Sequence, residues 1–205
     1  MTDWKYDYEK VIEKDLNILF LDIDGVLNYA SQTPANSYGG RFINGEEIEP
    51  KLVKKFNKVF EEIPNLKIVI SSSWRGNMKR LVWALKFAGF LYVENIIGRT
   101  PRAIAVTKKH CKGETIDLPT PYTLLYERRG QQSLKWFHDN PGISKRMNTF
   151  IIIDDEKYDI SGKMGFNFLD QYFIQTNSDI GLSNTDIQSI ISHFKKGEKD
   201  ETNQN

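Results

Sequence analysis

The segment Ile18-Leu19-Phe20-Leu21-Asp22-Ile23-Asp24-Gly25 constrains this chain more than any other. An unbroken apolar run of this kind reads as a buried strand. It ends in two acids on alternate residues and then a glycine. Alternate residues of a strand point to the same side. Both carboxylates therefore face one place, and they repel each other unless something cationic lies between them.

Two further runs share this plan. LKIVISSS, residues 66–73, ends in hydroxyls, and TFIIIDD, residues 149–155, ends in acids. With residues 16–23 as the first strand, Val93 to Ile97 and YFIQT at 172–176 add two shorter ones. Helical spacing separates them. After Pro50, suited to a first helical position, Leu52, Phe56, Val59, Phe60 and Ile63 share a face until Pro64 and Asn65. Met78, Leu81, Val82 and Leu85 form the next stripe, with Gly89 as its stop. Residues 130–138 read as helical. In the last helix Ile187, Ile190, Ile191 and Phe194 share a face, Ser183 with Asp186 forms a capping box, and Gly197 follows the end. Strands alternating with helices predict an α/β fold with a central, mostly parallel sheet and helices on both faces. Ligands of such sheets sit beyond the carboxyl ends of the strands. Asp22, Asp24, Ser71 to Ser73, Asp154 and Asp155 all fall there, and they converge if their strands are neighbours.

The remaining segments are polar. Residues 1–15 read as a lead-in, 28–48 as a long loop or small hairpin, and 98–127 as an excursion from the core. The expected organisation is one domain over residues 1–197 and a disordered tail over 198–205. A length of 205 residues fits one domain. The net charge of +1 argues against a strongly basic nucleic-acid module but leaves room for local patches. Cys111 is the one cysteine, which excludes an intramolecular disulfide and a cysteine-rich zinc site. No run approaches about 18 apolar residues and no signal-peptide pattern opens the chain. These features read as a soluble, cytoplasmic protein with no membrane partner.

Clustered carboxylates at neutral pH need a counter-charge. No His or Cys cluster accompanies them, so the ligands are oxygens. That favours a hard cation, Mg²⁺ above Ca²⁺ or Mn²⁺, in the kind of site that handles phosphate. An aspartate there can attack phosphorus. A second acid two residues on can protonate the leaving oxygen and later activate water. His110, His138 and His193 are scattered singly and read as surface or core residues.

The order of these motifs resembles the haloacid dehalogenase (HAD) superfamily of phosphohydrolases. Asp22-Ile23-Asp24-Gly25 matches its first motif, Ile68-Val69-Ile70-Ser71 its second, and Asp154-Asp155 followed by Asp159 its fourth. The third motif is a lone base, placed at Arg129 with Lys145 as runner-up. DIDGVLN, ISSSWR, RTPR, the Arg129-Gly130…Trp136-Phe137 pattern, IIIDD and QTN…GLS are similar to one subgroup, the HAD domain associated with RNA-repair proteins. That subgroup is related in chemistry to polynucleotide 3′-phosphatases. The resemblance implies that Asp22 is the nucleophile and a magnesium ligand. Asp24 is then the general acid/base and gives its main-chain carbonyl to the metal. Ser71 binds the phosphoryl group and Arg129 neutralises its charge. Asp155 holds magnesium and Asp159 supports that shell. Asp154 stands where many relatives have glycine and is assigned a supporting place. Ser72, Trp74 and Arg75, directly after the second motif, are candidate substrate contacts.

Neither gap between the motifs has room for a large cap domain. An open site favours a large substrate, such as a phosphorylated nucleic-acid end or a phosphoprotein, without excluding nucleotides. A basic stretch flanks the expected site: Arg99, Arg102, Lys108, Lys109, His110 and Lys112. The expected activity is a magnesium-dependent phosphomonoesterase acting on nucleic-acid ends. The alternatives are a nucleotidase or small-metabolite phosphatase, and a catalytically idle binding protein on the same fold. The sequence leaves the oligomeric state open.

Overall fold

In a computed structural model the chain is described over residues 15–29, 47–101, 104–107, 122–125, 128–160 and 167–202. In chain order the elements are β1 (Leu16–Leu21), α1 (Pro50–Glu62), β2 (Leu66–Ile70), α2 (Met78–Phe87), β3 (Ile96–Arg99), β4 (Ile104–Thr107), β5 (Tyr122–Leu125), α3 (Arg129–Asp139), α4 (Pro141–Ser144), β6 (Met147–Asp154), α5 (Lys157–Ile160), β7 (Phe173–Gln175) and α6 (Asn184–Thr202). Short 3₁₀ turns at Ser73–Asn77, Val93–Asn95 and Asn167–Tyr172 connect some of them.

β1, β2, β3, β6 and β7 form one parallel sheet in the order β3-β2-β1-β6-β7. The aspartate-bearing strand thus lies between the serine strand and the Asp-Asp strand. The alternation of β1 explains why it is apolar except for Asn17, whose side chain is paired with Asn65 and Asn148. Leu19 and Leu21 face a core built with Leu52, Phe56 and Phe60 of α1, Leu81 and Leu85 of α2, and Ile187, Ile190 and Phe194 of α6. Ile18 and Phe20 face the opposite core, with Trp136 of α3, Ile143 of α4 and Ile160 of α5. The Phe20 ring meets Trp136 and Phe137 edge-on at 5.7 and 5.1 Å. A strand buried on both faces has no solvent side on which to carry polar residues, so its charges collect at the end.

The expected helices form, with local causes. Pro50 opens α1, and the Glu49 side chain accepts from Lys51 N at 3.1 Å. The capping box before α6 is reciprocal: Asp186 N donates to Ser183 Oγ at 3.2 Å, and Ser183 N donates to Asp186 Oδ2 at 2.8 Å. Three expectations shift. The short strand expected at Val93 to Ile97 is β3 at Ile96–Arg99, and Val93–Asn95 form a 3₁₀ turn before it. α6 does not stop before Gly197 but continues to Thr202, which covers most of the stretch expected to be a disordered tail. One glycine costs a helix only about 1 kcal/mol, less than the favourable helix formers around it supply. The excursion over 98–127 contains an antiparallel pair, β4 with β5, separate from the central sheet. Each strand is four residues long, too short for its pattern to register. Of the basic stretch, Arg102, Lys108, Lys109, His110 and Lys112 lie outside the described residues, as does Cys111. Among the described residues nothing forms a large cap, and no helix is long and apolar enough to cross a membrane.

Candidate active site

The register of the sheet builds the site. Leu21 pairs with Ile70 on one side and Ile153 on the other. The next residue of each strand is polar, so Ser71, Asp22 and Asp154 stand in a row across three strand ends. Main-chain bonds carry the ladder one step further: Ser71 N to Leu21 O at 2.8 Å and Asp22 N to Ile153 O at 3.0 Å.

Asp22, Asp154 and Asp155 each offer an oxygen, and these oxygens lie within 4.8 Å of one another. Asp22 and Asp154 are almost wholly buried. The first turn of α3 brings Arg129 into this cluster. Its Nη1 pairs with Asp22 Oδ2 and reaches Asp154 Oδ2 at 2.8 Å, while Nε lies 3.9 Å from Asp159 Oδ2. Gly130 permits the approach. A Cβ there would lie 2.1 Å from the carbonyl oxygen of Ile160, so α3 can start against α5 only without a side chain. Lys145, the alternative base, ends α4 before β6 begins, at the opposite end of β6 from Asp154.

These ion pairs set one guanidinium against three carboxylates, and the protonation equilibria show the strain. Burial pushes the Asp22 carboxyl up to about 6, with Arg129 pulling it down and Asp24 pushing it further up. Burial, then the charge of Asp22, pushes Asp154 up to about 8 against the pull of Arg129. Asp155 is also raised, chiefly by burial. Burial works to lower the pKa of Arg129, but Asp22 and Asp154 outweigh it and hold the guanidinium well above its usual value.

Asp24 lies outside this cluster and is held separately. Its Oδ1 accepts from Trp74 Nε1 at 2.9 Å and Asn28 Nδ2 at 3.0 Å, and its Oδ2 accepts from Ser73 Oγ at 3.2 Å. The turn after it is fixed at Gly25, whose φ of +69° suits a residue without a side chain. Asn28 Oδ1 accepts from Gly25 N at 2.9 Å, and Thr176 Oγ1 donates to Gly25 O at 2.8 Å. A Cβ on Gly25 would lie 2.4 Å from Asp155 Oδ2. The bare glycine is the floor on which Asp155 rests.

The three residues after Ser71 have distinct surroundings. Ser72 Oγ caps the following turn by accepting from Trp74 N at 3.3 Å. The Trp74 indole is directed at Asp24. Arg75 is turned inward, 8% exposed, and donates to Ser72 O at 3.0 Å and Gln132 Oε1 at 2.8 Å. It ties the serine strand's end to α3, the helix that carries Arg129. Sequence reasoning missed Asn28, Thr176 and Gln132. Asn28 had a signal, since a short polar side chain three residues after a turn glycine commonly bonds back to the main chain. Thr176 lies in the QTN stretch, but nothing in the sequence ties it to Gly25, and Gln132 had no signal, because their partners are remote in sequence.

The donor set fits a hard divalent cation. All its atoms are oxygens. Asp22 Oδ1 and Ser71 Oγ are buried without a hydrogen-bond partner among the described residues, and a buried polar atom left unpaired is costly unless a ligand satisfies it.

A family model described as the HAD domain in Swiss Army Knife RNA repair proteins matches residues 18–187. The chain belongs to this family. The match runs from β1 into α6, so the HAD domain includes every residue of the row and of the acidic cluster. The sheet order, the helices on both faces and the lack of a large cap agree with a HAD-superfamily phosphohydrolase of the RNA-repair-like kind. Comparison with curated proteins and with solved structures finds no match.

Proposed function

We propose that this HAD domain is a magnesium-dependent phosphomonoesterase that acts through an aspartyl-phosphate on the phosphorylated ends of nucleic acids, 3′ more than 5′. The observation that carries this reading is the row Ser71, Asp22, Asp154 with Arg129 bridging the two acids. A buried nucleophile, an unpaired hydroxyl and a cation share one strand-end surface.

The metal residues follow from which oxygens are already engaged. Asp154 Oδ2 bonds Arg129, and its Oδ1 accepts from Glu156 N at 2.9 Å. That leaves Asp22 Oδ1 and Asp155 to hold the ion, joined, as the family resemblance implies, by the main-chain carbonyl of Asp24, and Asp154 to anchor Arg129. When bound, magnesium supplies the positive charge that offsets these carboxylates and the phosphoryl oxygens.

In the first step an Asp22 oxygen forms a bond to phosphorus, and the bond between phosphorus and the leaving oxygen breaks. Asp24, in its protonated form, gives its proton to that oxygen, so a free hydroxyl departs. Arg129 and the Ser71 hydroxyl hold the phosphoryl oxygens as charge shifts. In the second step Asp24 takes a proton from water, the water oxygen bonds to phosphorus, and Asp22 leaves as a carboxylate with inorganic phosphate as the product. The donors from Trp74, Asn28 and Ser73 fix the orientation of the Asp24 carboxyl group toward the reacting oxygen.

The test is a panel of p-nitrophenyl phosphate, mononucleotides, and 3′- and 5′-phosphorylated RNA and DNA oligonucleotides, each with Mg²⁺ and with excess EDTA. Turnover is expected with Mg²⁺ alone, and kcat/KM is expected to be highest for oligonucleotide 3′ ends. It should fall steeply with salt for oligonucleotides and little for the small substrate. Equal or better turnover of mononucleotides would move the assignment to a nucleotidase. Asp22→Asn is expected to abolish turnover. Asp24→Asn should lose roughly 10²–10⁴-fold, the usual span for a general acid/base, with partial rescue by activated leaving groups. No turnover of any phosphate ester would leave a binding protein on a HAD fold.

A further inference from the structure

Helix α2 carries a surface that the catalytic reading leaves unused. Leu81, Ala84 and Leu85 face the core. The opposite side carries Trp83 and Phe87, 52% and 62% exposed, with ring centroids 5.5 Å apart and planes inclined by 21°. A single exposed aromatic is ordinary, whereas two near-parallel rings packed together a turn apart on the outer face form one exposed aromatic platform. Lys79 and Lys86, both exposed, stand on the same helix.

The stretch of sequence that carries this platform is basic. Residues 63–93 contain five basic residues (Lys67, Arg75, Lys79, Arg80 and Lys86) and no acidic one, in a chain with 27 Asp and Glu. Arg75 is committed to Ser72 and Gln132, and Arg80 pairs with Glu47 at 3.3 Å. Lys79 and Lys86 are the platform's own cations.

Its position is tied to the catalytic residues. The turn Ser73–Asn77, whose first two residues hold Asp24, leads directly into α2 at Met78. At about 1.5 Å per residue, Trp83 and Phe87 lie about 8 and 14 Å along the helix from Met78. That is about two to four nucleotides of a stacked strand, at about 3.4 Å each.

We propose that the outer face of α2 binds single-stranded polynucleotide. Unpaired bases stack on Trp83 and Phe87, and the phosphates between them meet Lys79 and Lys86, while the phosphorylated end reaches Asp22. The proposal rests on the reading of this site as a nucleic-acid phosphatase and adds the tract that recognises the strand. Stacking on aromatic rings is tolerant of sequence and requires free bases, so single strands engage the face and blunt duplexes do not. A protein partner could also cover the aromatic pair. The two exposed lysines beside the rings and the direct connection to the Asp24 loop select a polyanion with flat units.

Two measurements test it. The first is fluorescence anisotropy with a labelled single-stranded RNA octamer that lacks a terminal phosphate, which reads binding without turnover. The second is kcat/KM for terminally phosphorylated oligonucleotides of increasing length, with p-nitrophenyl phosphate as reference. For the wild type, kcat/KM is expected to rise with length over the first few nucleotides and then level. The double variant Trp83→Ala/Phe87→Ala should lose about tenfold or more in octamer affinity, as removal of stacking rings does elsewhere. It should also lose the length dependence, with p-nitrophenyl phosphate turnover unchanged. Trp83→Phe, which keeps a ring, should retain most of the affinity. Lys79→Gln/Lys86→Gln should weaken binding and flatten its salt dependence. Wild-type octamer binding and turnover in the double alanine variant would overturn the platform and leave the phosphatase assignment standing. Turnover of p-nitrophenyl phosphate by a wild type that neither binds nor hydrolyses any oligonucleotide would overturn both. A wild-type dimer that becomes monomeric in the double variant, with octamer binding untouched, would assign the face to a second copy and also overturn the proposal.

Discussion

The indole N–H of Trp74 donates to the carboxylate of Asp24, Nε1 to Oδ1 at 2.9 Å. The donor comes from the serine strand's turn and the acceptor from the aspartate strand's, so the bond locks two motifs together. Trp74→Phe keeps the ring and removes the donor. One charge-assisted hydrogen bond is worth about 1.5–3 kcal/mol, which predicts a loss of about tenfold or more in kcat for alkyl phosphates. The loss should be smaller for p-nitrophenyl phosphate, whose leaving group needs little protonation. An equal loss on both substrates would mean that the indole does not act through Asp24.

A second expectation concerns stability without metal. Asp22 and Asp154 titrate above their ordinary value in the folded protein, at about 6 and about 8. Raised pKa values mean that the folded state holds these protons more tightly than the unfolded chain. Their contribution is therefore full below about pH 4, the ordinary carboxyl value, and is lost as pH rises through about 6 to 8. In EDTA, Tm should fall over this window. With Mg²⁺ the loss should shrink, most at the alkaline end. Differential scanning fluorimetry from pH 5 to 9 with and without Mg²⁺ checks this. A flat EDTA profile would show that the carboxylates are balanced without metal.

Much of this site is legible in the sequence, for a physical reason. Strands buried on both faces must be apolar, so Asp22, Ser71 and Asp154 stand out as the first polar residues after such runs. Their mutual repulsion argues that the runs are neighbours sharing a cation, and the order β2-β1-β6 is the result. What stays hidden depends on partners remote in the chain. Thr176 bonds Gly25 across 151 residues, and Gln132 holds Arg75 across 57. In sequence Arg75 reads as a candidate substrate contact, and only the packing of α3 shows its guanidinium turned inward. The β4–β5 pair is hidden for another reason, since four residues are too few for an alternating pattern.

Gly25 is a sensitive position although it carries no functional group. Gly25→Ala demands a left-handed φ from a residue that disfavours it and drives a methyl group to 2.4 Å from Asp155 Oδ2. Backbone strain of this kind costs about 1–2 kcal/mol, a fall of several degrees in Tm. Displacement of Asp155 should weaken Mg²⁺ further. The Mg²⁺ concentration for half-maximal activity is expected to rise about tenfold or more, while saturating Mg²⁺ restores part of kcat. An unchanged Mg²⁺ requirement would remove Asp155 from the ligand set.

Loss of Arg129 should affect chemistry and folding together. Arg129→Met keeps the bulk and apolar stem against α5 but leaves Asp22 and Asp154 facing each other without their shared cation. Removing one electrostatic partner of a transition state typically costs about 10²–10³-fold in kcat, and that is the loss expected at saturating Mg²⁺. Breaking a buried pair leaves an uncompensated charge and costs about 3–5 kcal/mol. Here the arginine side chain keeps 20% exposure, so the lower end is expected. The defect should depend on pH in a particular sense. Burial already raises both carboxyl pKa values, and loss of the guanidinium raises them further. At pH 6 the acids are then largely neutral and the fold tolerates the change, while at pH 8.5 they are more ionised and repel. The Tm difference between Arg129→Met and wild type in EDTA should therefore widen from pH 6 to pH 8.5, and Mg²⁺ should narrow it. A difference independent of pH would mean that Arg129 contributes packing rather than charge to this cluster.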